Sequence, residues 1–281
     1  DAILTLESNL ANATSCQLVP YAYCAGADLS GMNLSGMDLT GIDLRGANLQ
    51  NTTFDYATLD GADLRSIVAF NATFIYTGMN YTYLQNAEFN KYSFSECGGY
   101  CGEANLTNAH FRYTDLTDAY LRYVDLTDTD LAYADLTDAN LGLANLTDAY
   151  LRYVDLTGAI LTYSDLTDAD LRYADLTNAD LRYTDLTNAN LNDADLTNAY
   201  LRSADLTDAD LQYAVLTEAD LVYTDLTDAD LRYADLTNAY LAVADLTDAY
   251  LFGADLTDAD FTSATVTNAN FASTTWANTI W

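Results

Sequence analysis

Residues 165–173 read DLTDADLRY and residues 175–183 read DLTNADLRY. Each decade holds two five-residue units, and each unit runs small residue, Asp or Asn, Leu, then two variable positions. The pattern extends from Ala104 to Trp281. Centred on the large apolar residue, an earlier run extends from Leu29 through Leu34, Leu39 and Phe54 to Phe94, with Ala69 as a weak centre. Fourteen centres fall in that run and thirty-six in the second, which starts at Leu106. Self-similarity at a fixed period builds a repeat architecture in which each unit buries its apolar face against its neighbours.

A five-residue period matches neither an amphipathic helix nor a two-residue strand alternation. It suits a chain that turns a corner every five residues, with the centre and the small residue two before it pointing inward. Stacked turns of such a chain pair through backbone hydrogen bonds at about 4.8 Å, the strand spacing. Four segments follow: a cap or docking segment at 1–25, a first repeat run at 26–94, a Cys/Gly insert at 95–103 and the doubled run at 104–281. Phe94 to Leu106 is a step of twelve residues, which places two surplus residues around SECGGYCGE. Its glycines suit a bulged loop.

The A-[DN]-L-x-x unit resembles the pentapeptide-repeat proteins over roughly residues 25–281. The resemblance implies an all-β fold, a right-handed quadrilateral parallel β-helix with four pentapeptides per coil and about twelve coils. At strand spacing the rod is on the order of 60 Å long. Twenty residues per coil put like chemistry on opposite faces. Thr107, Thr127, Thr147 and onward form one ladder, and Thr117, Thr137, Thr157 and onward form the other. Tyr113, Tyr133, Tyr153 and Tyr173 form an aromatic column, and Tyr123, Tyr163, Tyr183 and Tyr223 a broken one. With Arg beside them, these rings are interface candidates for packing against an acidic face of another rod.

Forty-two Asp and Glu stand against ten Lys and Arg, a net charge of −32. That balance opposes generic nucleic-acid binding, which works by neutralising phosphates. It favours cations or a basic partner. Asp165, Asp185 and Asp205 fall one coil apart, and unit charges at that distance repel by about 1 kcal/mol even in water. Calcium or another divalent cation is one expected relief. No apolar run reaches the ~20 residues that a membrane-spanning helix needs.

The chain opens on Asp1, as a processed mature protein does. Cys16, Cys24, Cys97 and Cys101 all lie outside the regular decades. Two local disulfides fit a secreted or other oxidising location, with the periplasm and the thylakoid lumen as examples, although sequence allows three pairings. The segment from Ser15 to Leu29 looks like the cap-to-first-coil junction of family members that carry cysteines there.

No catalytic residues are expected. His110 is the single histidine, and neither a Ser-His-Asp set, a phosphate-cradling glycine loop nor HExxH occurs. The preferred reading is a non-enzymatic extracytoplasmic scaffold, a head-to-tail filament subunit whose partner is itself. Trp276 and Trp281 occupy inward centres and either plug the last coil or leave it for a neighbour. Ile3, Leu4 and Leu6, in the apolar DAILTLESNL, would dock there. Some relatives resemble B-form DNA and bind DNA gyrase, so gyrase is the alternative partner. Regular Thr arrays also fit an ice-binding face, though Asp flanks every Thr.

Overall fold

Each pentapeptide has five backbone N–H groups to satisfy, and the unit Asp185–Leu186–Thr187–Asn188–Ala189 shows where they go. The Leu186 and Asn188 amides donate forward to the Asp205 and Thr207 carbonyls of the next coil at 2.7 and 3.0 Å. The Asp185 amide donates backward to Ser164 C=O at 3.0 Å, and the Ala189 amide closes a tight turn on Leu186 C=O at 2.9 Å. The Thr187 amide has no backbone acceptor within reach. It donates instead to Asp185 Oδ1 at 3.0 Å. Where the repeat has Asp or Asn at this position, its side chain thus makes an Asx turn that satisfies a donor the backbone leaves over.

The turn fixes the next position. The second residue after each centre has φ near +60°, from Gly26 at one end to Asn278 at the other. Positive φ at the second central residue is the type II turn signature, and glycine or Asn supplies it most easily. The first run opens with Gly26, Gly31, Gly36, Gly41 and Gly46 there; the second run uses mostly Asp, Asn and Tyr.

The computed structural model describes residues 16–89 and 104–281. Over these the chain winds as a right-handed quadrilateral β-helix. Parallel bridges join residues twenty apart, as in Asp165↔Asp185↔Asp205, and define four faces. Face I carries the bridging column Thr53, Thr73, Asn105, Asp125 and onward. Face II carries Thr58, Gly78, His110 and Asp130. Face III carries Asp63, Tyr83, Asp115 and Asp135, and face IV Val68, Glu88, Tyr120 and Asn140.

Centres and small residues fill the axis as expected. Leu166, Leu186 and Leu206 are inaccessible to solvent, as are Ala169 and Ala189 between them. Phe54 and Phe74 stack in this core with ring centroids 4.9 Å apart. Ala69, the weak centre, is equally buried. Where the small site is hydroxylic, the hydroxyl bonds inward: Thr129, Thr184 and Thr224 donate to the Leu106, Leu161 and Leu201 carbonyls at 3.1, 2.8 and 3.1 Å.

Two features differ from the sequence reading. Thr73 bridges Asn105 and Glu88 bridges Tyr120, separations of thirty-two residues where twenty is regular. The insert therefore carries twelve surplus residues, not two, and Leu106 follows Phe89 as the next centre. Phe94, which has the spacing of a centre, lies outside the described residues. At the other end, Cys24 is a repeat centre and not part of a separate cap. It is 2% exposed, its amide reaches Asp43 C=O at 2.7 Å, and Tyr23 bridges Asp43.

Replacing Leu186 by Ala should cost about 3 kcal/mol through lost burial and a residual cavity. Leu143, a corner residue 37% exposed, should tolerate Ala within about 0.5 kcal/mol. Urea denaturation of the two variants against the parent measures the contrast.

Candidate functional site, the outer faces of the rod

Faces I and III of the second run repeat one motif. The bridging Asp or Asn accepts from the amide two residues on and in many units from the hydroxyl of the same Thr. Asp205 Oδ1 takes Thr207 N–H at 3.0 Å and Thr207 Oγ1–H at 2.7 Å. Asn145 makes the same pair with Thr147, at 3.1 and 2.7 Å. The Thr ladders exist as predicted, but Thr107, Thr117, Thr127, Thr137, Thr147, Thr207, Thr247 and Thr257 donate their hydroxyls to their own Asx oxygen. A hydroxyl row committed this way is poorly suited to ordering an ice-like water layer.

The carboxylates stack. Asp165, Asp185, Asp205, Asp225 and Asp245 bridge in unbroken succession on face I, and Asp115, Asp135, Asp155, Asp175 and Asp195 do so on face III. From residue 104 onward, ion pairs of the described residues lie on the other two faces. Arg112–Asp130, Arg152–Asp170, Arg172–Asp170 and Arg232–Asp230 are on face II, and Arg182–Asp180 and Arg202–Asp220 on face IV, at 2.5–3.1 Å. Faces I and III are left as acidic strips there. No group of three or more His, Cys, Asp or Glu is poised to hold a metal ion among the described residues.

The arginines beside the tyrosines are thus already engaged within their own rod. Arg45 clasps Asp43 through Nε at 2.9 Å and Nη2 at 2.6 Å. That clasp, aided by the Arg45 amide, holds the Asp43 carboxyl below its ordinary range. The pair supports the fold above the ordinary carboxylate pKa and is lost as pH falls through the lowered folded value. Exposed pairs of this kind are worth about 0–1 kcal/mol each.

Tyr81, Tyr113, Tyr133, Tyr153 and Tyr173 form one continuous ring stack along the face II corner, at centroid spacings of 5.0, 4.9, 4.9 and 4.8 Å. Asp193 interrupts it before Tyr213 and Tyr233, which stack at 5.1 Å. On the opposite corner only Tyr163 and Tyr183 stack, at 4.7 Å. The rings in the predicted column are solvent-accessible along one edge, 41–46% exposed for Tyr113 to Tyr173.

The remaining candidates separate. His110 sits exposed in the face II bridging column beside Gly78 and Asp130, with no nucleophile arrayed on it. A surface groove of about 420 Å³ lies over face IV between Tyr200, Arg202, Glu218, Asp220 and Tyr240. It holds no acid-base-nucleophile set. Trp276 and Trp281 close a four-ring cluster with Phe261 and Phe271, centroids 5.1–6.4 Å apart, yet remain 41% and 58% exposed. They cover Phe261 without being buried themselves. Cys16 and Cys24 are joined by a disulfide, with Cα atoms 4.9 Å apart. Ile3, Leu4, Leu6, Cys97 and Cys101 lie outside the described residues. The sequence reading passed over the buried hydroxyls and the Arg clasps, although Thr or Ser at an Ala site, and Arg two after Asp, mark both.

A pentapeptide repeats family model matches residues 27–65, 100–138, 125–162, 139–178, 174–212, 209–242 and 239–275. No match was found among curated protein sequences. Among solved structures, the chain is similar to HetL of the cyanobacterium Nostoc, a pentapeptide repeat protein involved in heterocyst differentiation regulation. The identity is 28%, over 86% of this chain and 88% of that one, with a TM-score of 0.34. A pentapeptide repeat protein of the Arabidopsis thaliana thylakoid lumen is 29% identical over 39% of this chain and 69% of its own, TM-score 0.25. QnrB1, a plasmid-mediated fluoroquinolone resistance protein, is 15% identical over 85% and 90%, TM-score 0.27.

Asn at a bridging position keeps both Asx hydrogen bonds and removes a charge, as Asn145 shows. Asp205→Asn, between Asp185 and Asp225, should therefore stabilise the rod by about 0.5–1 kcal/mol at low ionic strength. The gain should fall by at least about half in 1 M salt, where screening acts over ~3 Å. Urea midpoints at the two salt concentrations measure it.

Proposed function

We propose, for a chain that belongs to the pentapeptide repeat family, a non-enzymatic structural role as an extracytoplasmic scaffold that binds other proteins and copies of itself. The observation that carries this is the contrast between a filled axis and long outer ladders of Asp and Thr on faces I and III. The leucine and alanine sites fill the core of the described residues, while those two faces repeat one chemistry over many coils. Extended surfaces of that kind serve protein–protein contact. The Cys16–Cys24 disulfide supports an oxidising compartment.

Self-association is assigned to the coil at 266–281. Its Trp276 and Trp281 rings are half exposed. Apolar rings presented on one coil suit a second coil stacked on it. Such contact is heterologous and non-closing, so it produces filaments. In negative stain, longer rods should appear at raised concentration, and Trp276→Ala/Trp281→Ala should return single rods of roughly 60 Å. Single rods at every concentration would refute the filament and leave the scaffold.

A second reading rests on the acidic strips of faces I and III, where Asp stacks on Asp over successive coils. A basic protein groove, DNA gyrase included, fits them by charge. Inhibition of gyrase supercoiling by the purified chain, lost on charge-reducing Asp→Asn changes along face I, would favour this reading over self-assembly. Full supercoiling activity at a large excess of the chain would dispose of it.

A further inference from the structure

Every aromatic residue at a positive-φ corner of the described chain is tyrosine. Stacking between coils asks only for a ring, which phenylalanine would supply as well. The phenol adds a ring that gives up an electron far more readily than benzene does, and the corners hold it in reach of solvent. Tyr163 and Tyr183, 56% and 48% exposed, form an isolated pair, with Leu143 at the corner before and Ser203 at the corner after. Their ring centroids lie 4.7 Å apart and the planes are 5° from parallel. Rings related by one coil step set like atoms opposite one another, so the carbons ortho to the two hydroxyls face each other across roughly the strand spacing. Tyr56 and Tyr76 make a second such pair at 5.3 Å, and Tyr81, Tyr113, Tyr133, Tyr153 and Tyr173 make the longer run.

Other tyrosines share the exposure without the facing ring. Tyr223 occupies the same corner column as Tyr183 and is 58% exposed, but Ser203 and Val243 stand twenty residues to either side. Tyr200 is half exposed and bridges Asp180 and Asp220. The stacked rings need only side-chain rotation to bring their edges together, and exposed side chains rotate in picoseconds to nanoseconds. Rings on two different rods must first meet by diffusion, against the repulsion of a net charge of −32 on each.

We infer that the stacked corner tyrosines are sites of oxidative cross-linking, which joins consecutive coils of one rod by carbon–carbon bonds. The co-reactant is a one-electron oxidant, of the class of a haem peroxidase acting with hydrogen peroxide. Each phenol gives up one electron and its O–H proton and becomes a neutral radical. The two radicals couple through their facing ortho carbons. The hydrogen on each joined carbon then leaves as a proton, and each phenol oxygen regains one from water. The two electrons and two protons lost in all convert one hydrogen peroxide to two waters. Each ring has two ortho carbons, so Tyr133 can join both Tyr113 and Tyr153. The product is a row of covalent staples along the corner, formed in the oxidising setting that the Cys16–Cys24 disulfide supports. This goes beyond the scaffold reading, and its test needs neither a partner nor assembly, so either can fail alone.

The test treats the whole folded chain, at micromolar concentration, with a haem peroxidase and hydrogen peroxide. Product of single-chain mass should show dityrosine fluorescence. Its tryptic digest should contain a Tyr163–Tyr183 linked peptide pair two hydrogens lighter than the separate peptides. Intrachain links at Tyr163–Tyr183 should exceed those at Tyr223 by about tenfold or more, because only the former has a partner held beside it. Tyr183→Phe keeps the ring and should abolish that link while leaving the link between Tyr113 and Tyr133. Circular dichroism confirms that the variant is folded. Chain unfolded in urea before treatment should lose the preference. Absence of intrachain links under conditions that couple free N-acetyltyrosinamide would overturn the inference. So would Tyr223 linking as often as Tyr163, or the same pattern of links in the unfolded chain.

Discussion

The amide after each central leucine is the group on which the rest of this structure depends. Four of the five N–H groups in a pentapeptide find carbonyls, in the coil ahead, the coil behind or the turn itself. The fifth, at Thr187 in the unit described, finds only the side chain of Asp185. A short acceptor two residues earlier is needed, and Asp or Asn supplies it. Because coils repeat at strand spacing, satisfying that amide in every coil also stacks a carboxylate on a carboxylate. Much of the net charge of −32 follows from a hydrogen-bonding need repeated along the rod. The acidity is thus a by-product of the architecture first, and weak evidence for any particular partner.

The corner residue meets a second constraint. Positive φ costs a non-glycine residue on the order of 1 kcal/mol or more, and the second run accepts that cost at nearly every turn. Asp and Asn tolerate the conformation through their short polar side chains. Tyrosine has no such excuse, and its compensation lies between coils. A corner side chain projects beside its counterpart twenty residues on, so rings at 4.7–5.1 Å gain stacking that a single turn could not give. Tyrosine at a corner therefore makes sense in runs. A lone break in a run reports something other than backbone preference.

What could be read from the residues divides along the same line. The centres, the inward Ala sites, the twenty-residue stacking of Thr and Tyr and the position of His110 all follow from periodicity. Periodicity fails across the insert, where Thr73 bridges Asn105 and Glu88 bridges Tyr120, thirty-two residues on where twenty is regular. Only pairing across the insert reveals its size. Cys24 looks like half of a cap staple, but it also fills a leucine site. The Arg clasps escaped because an Arg beside a Tyr column suggests an outward contact, whereas the Asp two residues earlier is closer than any partner.

A rod in which most side chains are explained by their neighbours twenty residues away has few positions left over for function. Many Thr hydroxyls are committed to their own Asx oxygens, most arginines to an Asp of their own face, and many tyrosine rings to one another. Asp193 stands at a corner between Tyr173 and Tyr213 and ends the tyrosine stack there. Trp276 and Trp281 stand at centres that Leu fills in earlier coils, and they cluster with Phe261 and Phe271 while remaining 41% and 58% exposed. The repeat dictates the surface, and the departures from it carry the information about what the surface meets.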